Sequence, residues 1–470
     1  MTTRAGGDNL TATMVGGSSS TPHHNSRRVR RALRWEAARE YANGALWVLP
    51  SVAALLALAT GFTMSQIQVR EGTLLDRIAF QGTADDARTV LVAVSSTVVT
   101  VIALVLGLTV VALQLSSTQF SPRLLRNFLR DRGTQVVLSV FIATFVYSAA
   151  GLFTVGLSSG SRTEEFPRLA ISGAIVLLFA SLGMVVYFAD HLIHSIQIDA
   201  INRRIENNTR RAIGNLHSRH TEESAPRAPD WAVPLIARKS GYLQTVHPEL
   251  LLPVATRTGV TICLRVRIGQ HVVAGTTLGW VWAPSADHPR PAAEEFEEAV
   301  HADIRIGFER TLEQDVGFGI RQQIDIASKA LSAAINDPYT AVQAMDHLTV
   351  VCCDLAVRPL GAEVLRDPAG PGRVVVPGNT FADYLFFVTG LVGRYGGNEY
   401  SVMAALVRLI RSCTEVLPEG SDRLVTLDQA AVEVLDDVER MMQRPSDVEN
   451  LRAAVHSVRK KITAKLGRTT

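Results

Sequence analysis

Cysteine is scarce in this chain, and its placement excludes two chemistries. Four thiols are spread over 470 residues, Cys263, Cys352, Cys353 and Cys413, with no CxxC spacing and all in the second half. That pattern supplies neither a disulfide framework nor a zinc knuckle, and fits small buried hydrophobes in a reducing compartment. An excess of one charge is also missing. With 47 basic against 44 acidic residues, the net +3 gives no electrostatic argument for nucleic acid as a partner. No nucleophile and base pair, phosphate loop or metal signature can be picked out, so the chain does not read as an enzyme and implies no cofactor.

Charge is absent altogether from four long stretches. The runs 45–65, 89–114, 135–157 and 169–189 contain no Asp, Glu or Lys and no Arg, and each matches the twenty or so residues that a bilayer core demands. A buried helix of a soluble protein normally keeps a polar stripe, and none of these does. They predict four transmembrane helices. The first is too long for the apolar part of a signal peptide and reads as a retained span.

Arginine then fixes an expected orientation. Fourteen arginines flank one side, from Arg27 to Arg39, Arg123 to Arg132 and Arg203 to Arg211, against five on the other: Arg70, Arg77, Arg88, Arg162 and Arg168. The positive-inside rule puts both termini in the cytoplasm of a multi-pass plasma-membrane protein, with membrane lipids as its surroundings. Ahead of the spans, residues 1–26 are rich in Gly, Ser and Thr and predict a disordered tail, followed by a basic juxtamembrane helix over 27–44. The basic loop from Arg123 to Arg132 has two readings, solvated flank or seat for anionic lipid head groups.

Within the spans, small and hydroxylated residues recur at helical spacing. Ser96, Thr100, Ala103, Gly107, Val110 and Gln114 share one stripe of span two, and Thr144, Ser148 and Gly151 make a shorter one on span three. Such stripes let helices approach closely, which points to helix packing and a homo-oligomer, or they line a water-filled path. At the end of span four, Asp190, His191 and His194 lie within about one turn and read as interfacial caps, with a shared metal as the alternative.

Past the spans, 191–234 reads as a helical stalk and linker, and 235–283 as short strands around a helix. Arg265, Arg267, Gly269, Val272, Val273, Gly275, Leu278 and Val281 resemble the half-barrel hairpin of biotinyl and lipoyl domains, though no lysine is present to carry a cofactor arm. Residues 284–470 read as a mainly helical region interrupted by a Gly- and Pro-rich excursion over 359–380. Here Asn336, Asp337 and Pro338 close one helix and open another, with Asp337 as cap and Pro338 in the first turn. The alternative is a polar site built from Asp315, Arg321, Asp325, Asn336 and Asp337.

The fold class expected is therefore an α-helical integral membrane protein with a mixed α/β, mainly helical, cytoplasmic domain containing a small half-barrel-like β unit. Two of its phrases, GLTVVALQLSSTQFSPR from Gly107 and FGIRQQIDIASKALSAAINDPYTAVQAMDHL from Phe318, resemble the bacterial predicted membrane proteins labelled domain of unknown function twenty-two fifty-four. Ala333 stands where a Pro is expected in that family's version of the second phrase, without moving the helix boundary. The resemblance implies a topology and no reaction. An oligomeric channel or transporter-like protein with a cytoplasmic regulatory domain is the leading functional expectation, and a membrane-anchored scaffold or regulatory binding module is the alternative.

Overall fold

A computed structural model describes residues 45–67, 77, 79–119, 131–158, 167–216, 220–221, 225–288, 291, 293–368, 370 and 372–467. The chain divides into units 1–42 and 43–470, and the first of these, with the expected tail and most of the basic helix, lies outside the described residues. So do the arginines between 120 and 130.

The four apolar runs form helices α1 (Val48–Ser65), α2 (Ala84–Gln119), α3 (Arg132–Ser158) and α4 (Arg168–Ile196). All four are long and apolar enough to cross a membrane. A sequence as rich in Val and Thr as that of α2 would suit a strand in water. A segment crossing lipid must satisfy its own backbone polar groups, and the helix does so within one segment. Helices α2, α3 and α4 outrun their apolar runs, and polar caps extend α2 and α3 at their starts. Thr83 and Asp86 cap each other's backbone N–H at the start of α2, at 2.9 and 3.3 Å. Asp131 caps α3 by accepting from the Thr134 N–H at 3.0 Å.

Helix α3 is central, with 39% of its apolar window buried against 17–22% for the other three. Leu91, Tyr147 and Ile171 fill one layer of the bundle, and Val98, Phe141 and Phe188 another. Glycine admits the closest approach, since a methyl added at Gly173 would overlap the Tyr147 hydroxyl.

After α4 the chain carries α5 (Ile198–Gly214), β1 (His220–Thr221), β2 (Val233–Ile236), β3 (Gly241–Val246), α6 (Pro248–Thr258), β4 (Thr261–Leu264), β5 (His271–Val272), β6 (Thr277–Trp282), α7 (Ala293–Asp303) and β7 (Ile304–Gly307). There follow α8 (Val316–Ala330), α9 (Pro338–Ala356), β8 (Ala362–Arg366), β9 (Arg373–Val376), α10 (Phe381–Gly396), α11 (Tyr400–Val416), α12 (Arg423–Met441) and α13 (Pro445–Leu466).

Two features depart from the sequence-based expectation. Helix α4 does not run on as a stalk: Gln197 is extended (φ −64°, ψ 132°), and α5 is a separate helix. Its apolar residues Ile201, Ile205, Ala212 and Ile213 lie on one face and join the core of α8 to α13, because an amphipathic helix of this kind is stable only with that face covered.

The second departure concerns the β region. Its strands split between a six-stranded sheet, β1-β8-β9-β4-β6-β2, and a three-stranded sheet, β5-β3-β7. Strand β9 pairs with β4 in parallel, Ile262 opposite Val374. The Gly- and Pro-rich excursion thus supplies two central strands, and 235–283 does not close its own sheets. Val374, Val375 and Val376 are all buried, but a four-residue strand between Gly and Pro is too short to show a period of two. Gly269 and Gly275 turn the chain with φ of 86° and 85°, a conformation open to glycine.

Candidate functional site

The two stripes of the membrane bundle end up in opposite surroundings. Helix α2 buries Leu91, Val94, Val98, Val105 and Ala112 against its neighbours. Its other side carries Ser96, Thr100, Ala103, Gly107, Val110 and Gln114, all exposed on the single chain. A side chain added at Gly107 would meet nothing within 4 Å. The hydroxyls fold back on their own helix, Ser96 donating to the Ala93 carbonyl at 3.1 Å and Thr100 to that of Ser96 at 3.0 Å. From Ser96 to Gln114 this face extends about 27 Å, nearly the thickness of a hydrocarbon core.

The stripe of α3 points inward. Thr144 and Ser148 are fully buried. Thr144 donates to the Val140 carbonyl at 2.8 Å and lies 2.9 Å from the hydroxyl of Ser181 on α4. Gly151 packs against Leu91, whose methyls would stand 3.4 and 3.5 Å from an added Cβ. The Ser148 hydroxyl has no partner among the described residues. Sequence reasoning misses Ser181, although a hydroxyl inside an apolar run is a usable signal for a cross-helix bond.

The structural reading of the Asn336 motif holds, with Asp337 capping α9 and Pro338 in its first turn, and the five residues of the alternative polar site are not brought together. Asp315 caps the start of α8, accepting from the Phe318 N–H at 3.0 Å, and is clamped by both ends of the Arg310 guanidinium at 2.7 and 2.8 Å. Arg321 and Asp325 pair one turn apart at 2.7 Å on the flank of the same helix. Asn336 and Asp337 lie beyond its far end, about 22 Å of helix from Asp315. Asn336 turns the chain with φ of 50°, and Asp337 caps α9 through the N–H and hydroxyl of Thr340 at 3.1 and 2.6 Å. Those two bonds hold the Asp337 carboxyl below its ordinary range. Each residue has a local structural partner. Sequence reasoning also misses Arg310 and Thr340; the spacing of three from cap to Thr340 is the available signal.

A different polar cluster forms where three helices meet. Asp131 at the start of α3 accepts from His191 of α4 at 2.5 Å, and Arg204 of α5 stands 3.9 Å away. The imidazole stacks on Tyr187 with centroids 5.6 Å apart, and Gly133 leaves room for its edge. Burial raises the Asp131 carboxyl, but the Thr134 N–H, His191 and Arg204 together outweigh it and hold the group below its usual value. His194, the other candidate ligand, turns instead to the Asp190 carbonyl at 2.8 Å. No group of three His, Cys, Asp or Glu arranged for a metal occurs among the described residues. Of the thiols, Cys263, Cys352 and Cys413 are buried and Cys353 is half-buried, 3.9 Å from Cys413.

A family model described as predicted membrane protein (DUF2254) matches residues 43–412. The chain belongs to that family. The match takes in all four apolar helices, both sheets and the bundle as far as α11, so the DUF2254 unit joins the membrane region to the sheets and helices beyond it. The chain is 41% identical over 427 residues to the uncharacterized protein Mb1321c of Mycobacterium bovis, covering 90% of this chain and 81% of the relative. The same identity and coverage hold for the uncharacterized protein Rv1290c of Mycobacterium tuberculosis. No solved structure matches. Family membership therefore identifies a predicted membrane protein with four apolar helices and a mixed sheet and helical region.

Proposed function

We propose that this DUF2254 member is one subunit of an oligomeric channel or transporter-like assembly, joined and lined along α2, with the region beyond α4 as its cytoplasmic regulatory part. The observation that carries the reading is the outward direction of the Ser96 to Gln114 stripe. Lipid does not reward a glycine, two hydroxyls and an amide on one face. A second copy of the chain, or water in a path between copies, does. The orientation rests on the arginine asymmetry of the flanks. No enzymatic step enters the proposal.

Purified full-length protein reconstituted in liposomes is expected to pass ions or small solutes, and Gly107→Leu to reduce that flux. A folded, correctly inserted preparation that passes neither removes the channel reading and leaves the membrane-anchored scaffold in its place. Tags on the two termini are expected to report from the cytoplasm. Their appearance on the outer surface reverses the proposed orientation.

A further inference from the structure

Among the described residues, helix α5 is held on one side only. Toward α9, Glu206 pairs with His347 at 2.5 Å, Arg210 with Asp354 at 2.6 Å, and Asp199 accepts from Gln343 at 2.7 Å. Toward α8 the approach is closer still, because only Gly319 leaves space for the Thr209 side chain. The opposite side of α5 lines a cavity of about 640 Å³ with Arg203, Arg204, Asn207, Asn208 and Arg211. Arg203, Asn207 and Arg211 are four residues apart and so stand in one row.

The charge of this cavity is not balanced from within. Among the described residues that line it, Asp199 is the only carboxylate, and that group is engaged by Gln343. Arg211 donates to a neutral amide, Asn208, at 2.9 Å. Arg203 has no hydrogen-bond or ion-pair partner among the described residues, and Arg204 only touches Asp131, whose oxygens already serve Thr134 and His191. Three guanidiniums beside two amides form a donor set suited to a phosphate anion, whose oxygens accept bidentate bonds from the planar fork.

Its position selects the source of that phosphate. Gln197 at one end of the cavity directly follows α4, and Arg204 reaches the residue that caps α3. The start of α3 and the end of α4 meet there on the same side of the bundle, so the Gln197 and Arg204 end of the row stands where head groups flank the apolar helices. We propose that the α5 cavity binds the head-group phosphate of an anionic phospholipid, and so couples the bilayer to the helical region through α5. This inference does not depend on α2 forming an oligomer.

Native mass spectrometry of the full-length protein in detergent tests it, with phosphatidylglycerol, phosphatidylcholine and inorganic phosphate as separate probes. Phosphatidylglycerol is expected to bind more tightly than phosphatidylcholine, and the double variant Arg203→Gln, Arg211→Gln to weaken it roughly tenfold or more. The control Arg452→Gln, on α13 away from the cavity, is expected to leave binding unchanged. Arg203 and Arg211 are both exposed, so the double variant should melt with the parent. Should it misfold, the unaltered chain still decides the matter, because its retention of phosphatidylglycerol must fall steeply as salt rises from about 0.05 to 0.5 M. Equal binding of the two lipids, or an unaffected double variant, overturns the proposal. Displacement of the lipid by millimolar inorganic phosphate overturns it in favour of a soluble phosphate ligand.

Discussion

The second and third spans carry stripes of nearly the same composition, and the fold treats them oppositely. Thr144, Ser148 and Gly151 are buried inside the chain, whereas Ser96, Thr100 and Gly107 stand on its surface. The contrast separates two uses of small and hydroxylated residues in lipid. Inside a bundle they set the distance between helices of one chain. On its outer face the two hydroxyls bond only to carbonyls of their own helix, and the small residues beside them pack against no other described helix.

The contrast breaks first at Gly151. Leucine there drives a branched side chain into Leu91, and an overpacked contact of this type costs about 1–3 kcal/mol. The midpoint of thermal unfolding in detergent is expected to fall clearly below that of the parent. An unchanged midpoint would mean that α2 and α3 are not packed as described, and the inward assignment would go with it.

Smaller effects sharpen the same point. Thr144→Val removes one partner of the 2.9 Å bond to Ser181 and is expected to cost about 0.6 kcal/mol, the usual size of a cross-helix hydrogen bond in lipid. A double-mutant cycle with Ser181→Ala isolates the pair, and a coupling of zero would deny that the hydroxyls meet. Ser148→Ala tests the opposite case. Its buried hydroxyl lacks a partner among the described residues, so its removal is expected to be neutral or to stabilise by up to about 1 kcal/mol. A loss of stability instead would reveal a bound water or another partner at Ser148, and with it a polar interior to the bundle.

Much of the fold is legible in the residues. Four uncharged runs identify four helices long and apolar enough to cross a membrane, and Asp337 followed by Pro338 fixes a helix start through local bonding alone. Periodicity also groups each stripe on one face. It does not say which way that face turns, since direction depends on which neighbouring helices pack against the opposite side. The same limit governs β8 and β9. Strand β9 pairs with β4 about a hundred residues away, and nothing in Val374 to Val376 alone names Ile262. The polar set around Asn336 shows why the alternative of one joint site fails, for Asp315 at the start of α8 is separated from Asn336 and Asp337 by the length of that helix.

The smallest effect on the subunit is expected at Gly107, and it discriminates most. With nothing within 4 Å of an added Cβ, leucine there should shift unfolding by less than about 0.5 kcal/mol in a detergent in which the chain runs as a monomer. In milder detergent or lipid the same substitution should lower the assembled mass read by light scattering, because close approach along α2 requires a residue without a side chain. A monomer destabilised as much as by Gly151→Leu would place Gly107 inside the subunit and erase the difference between the stripes. An unaltered assembly would leave that difference standing but remove α2 as the contact between copies, and the outward stripe would then have to face water or a different protein.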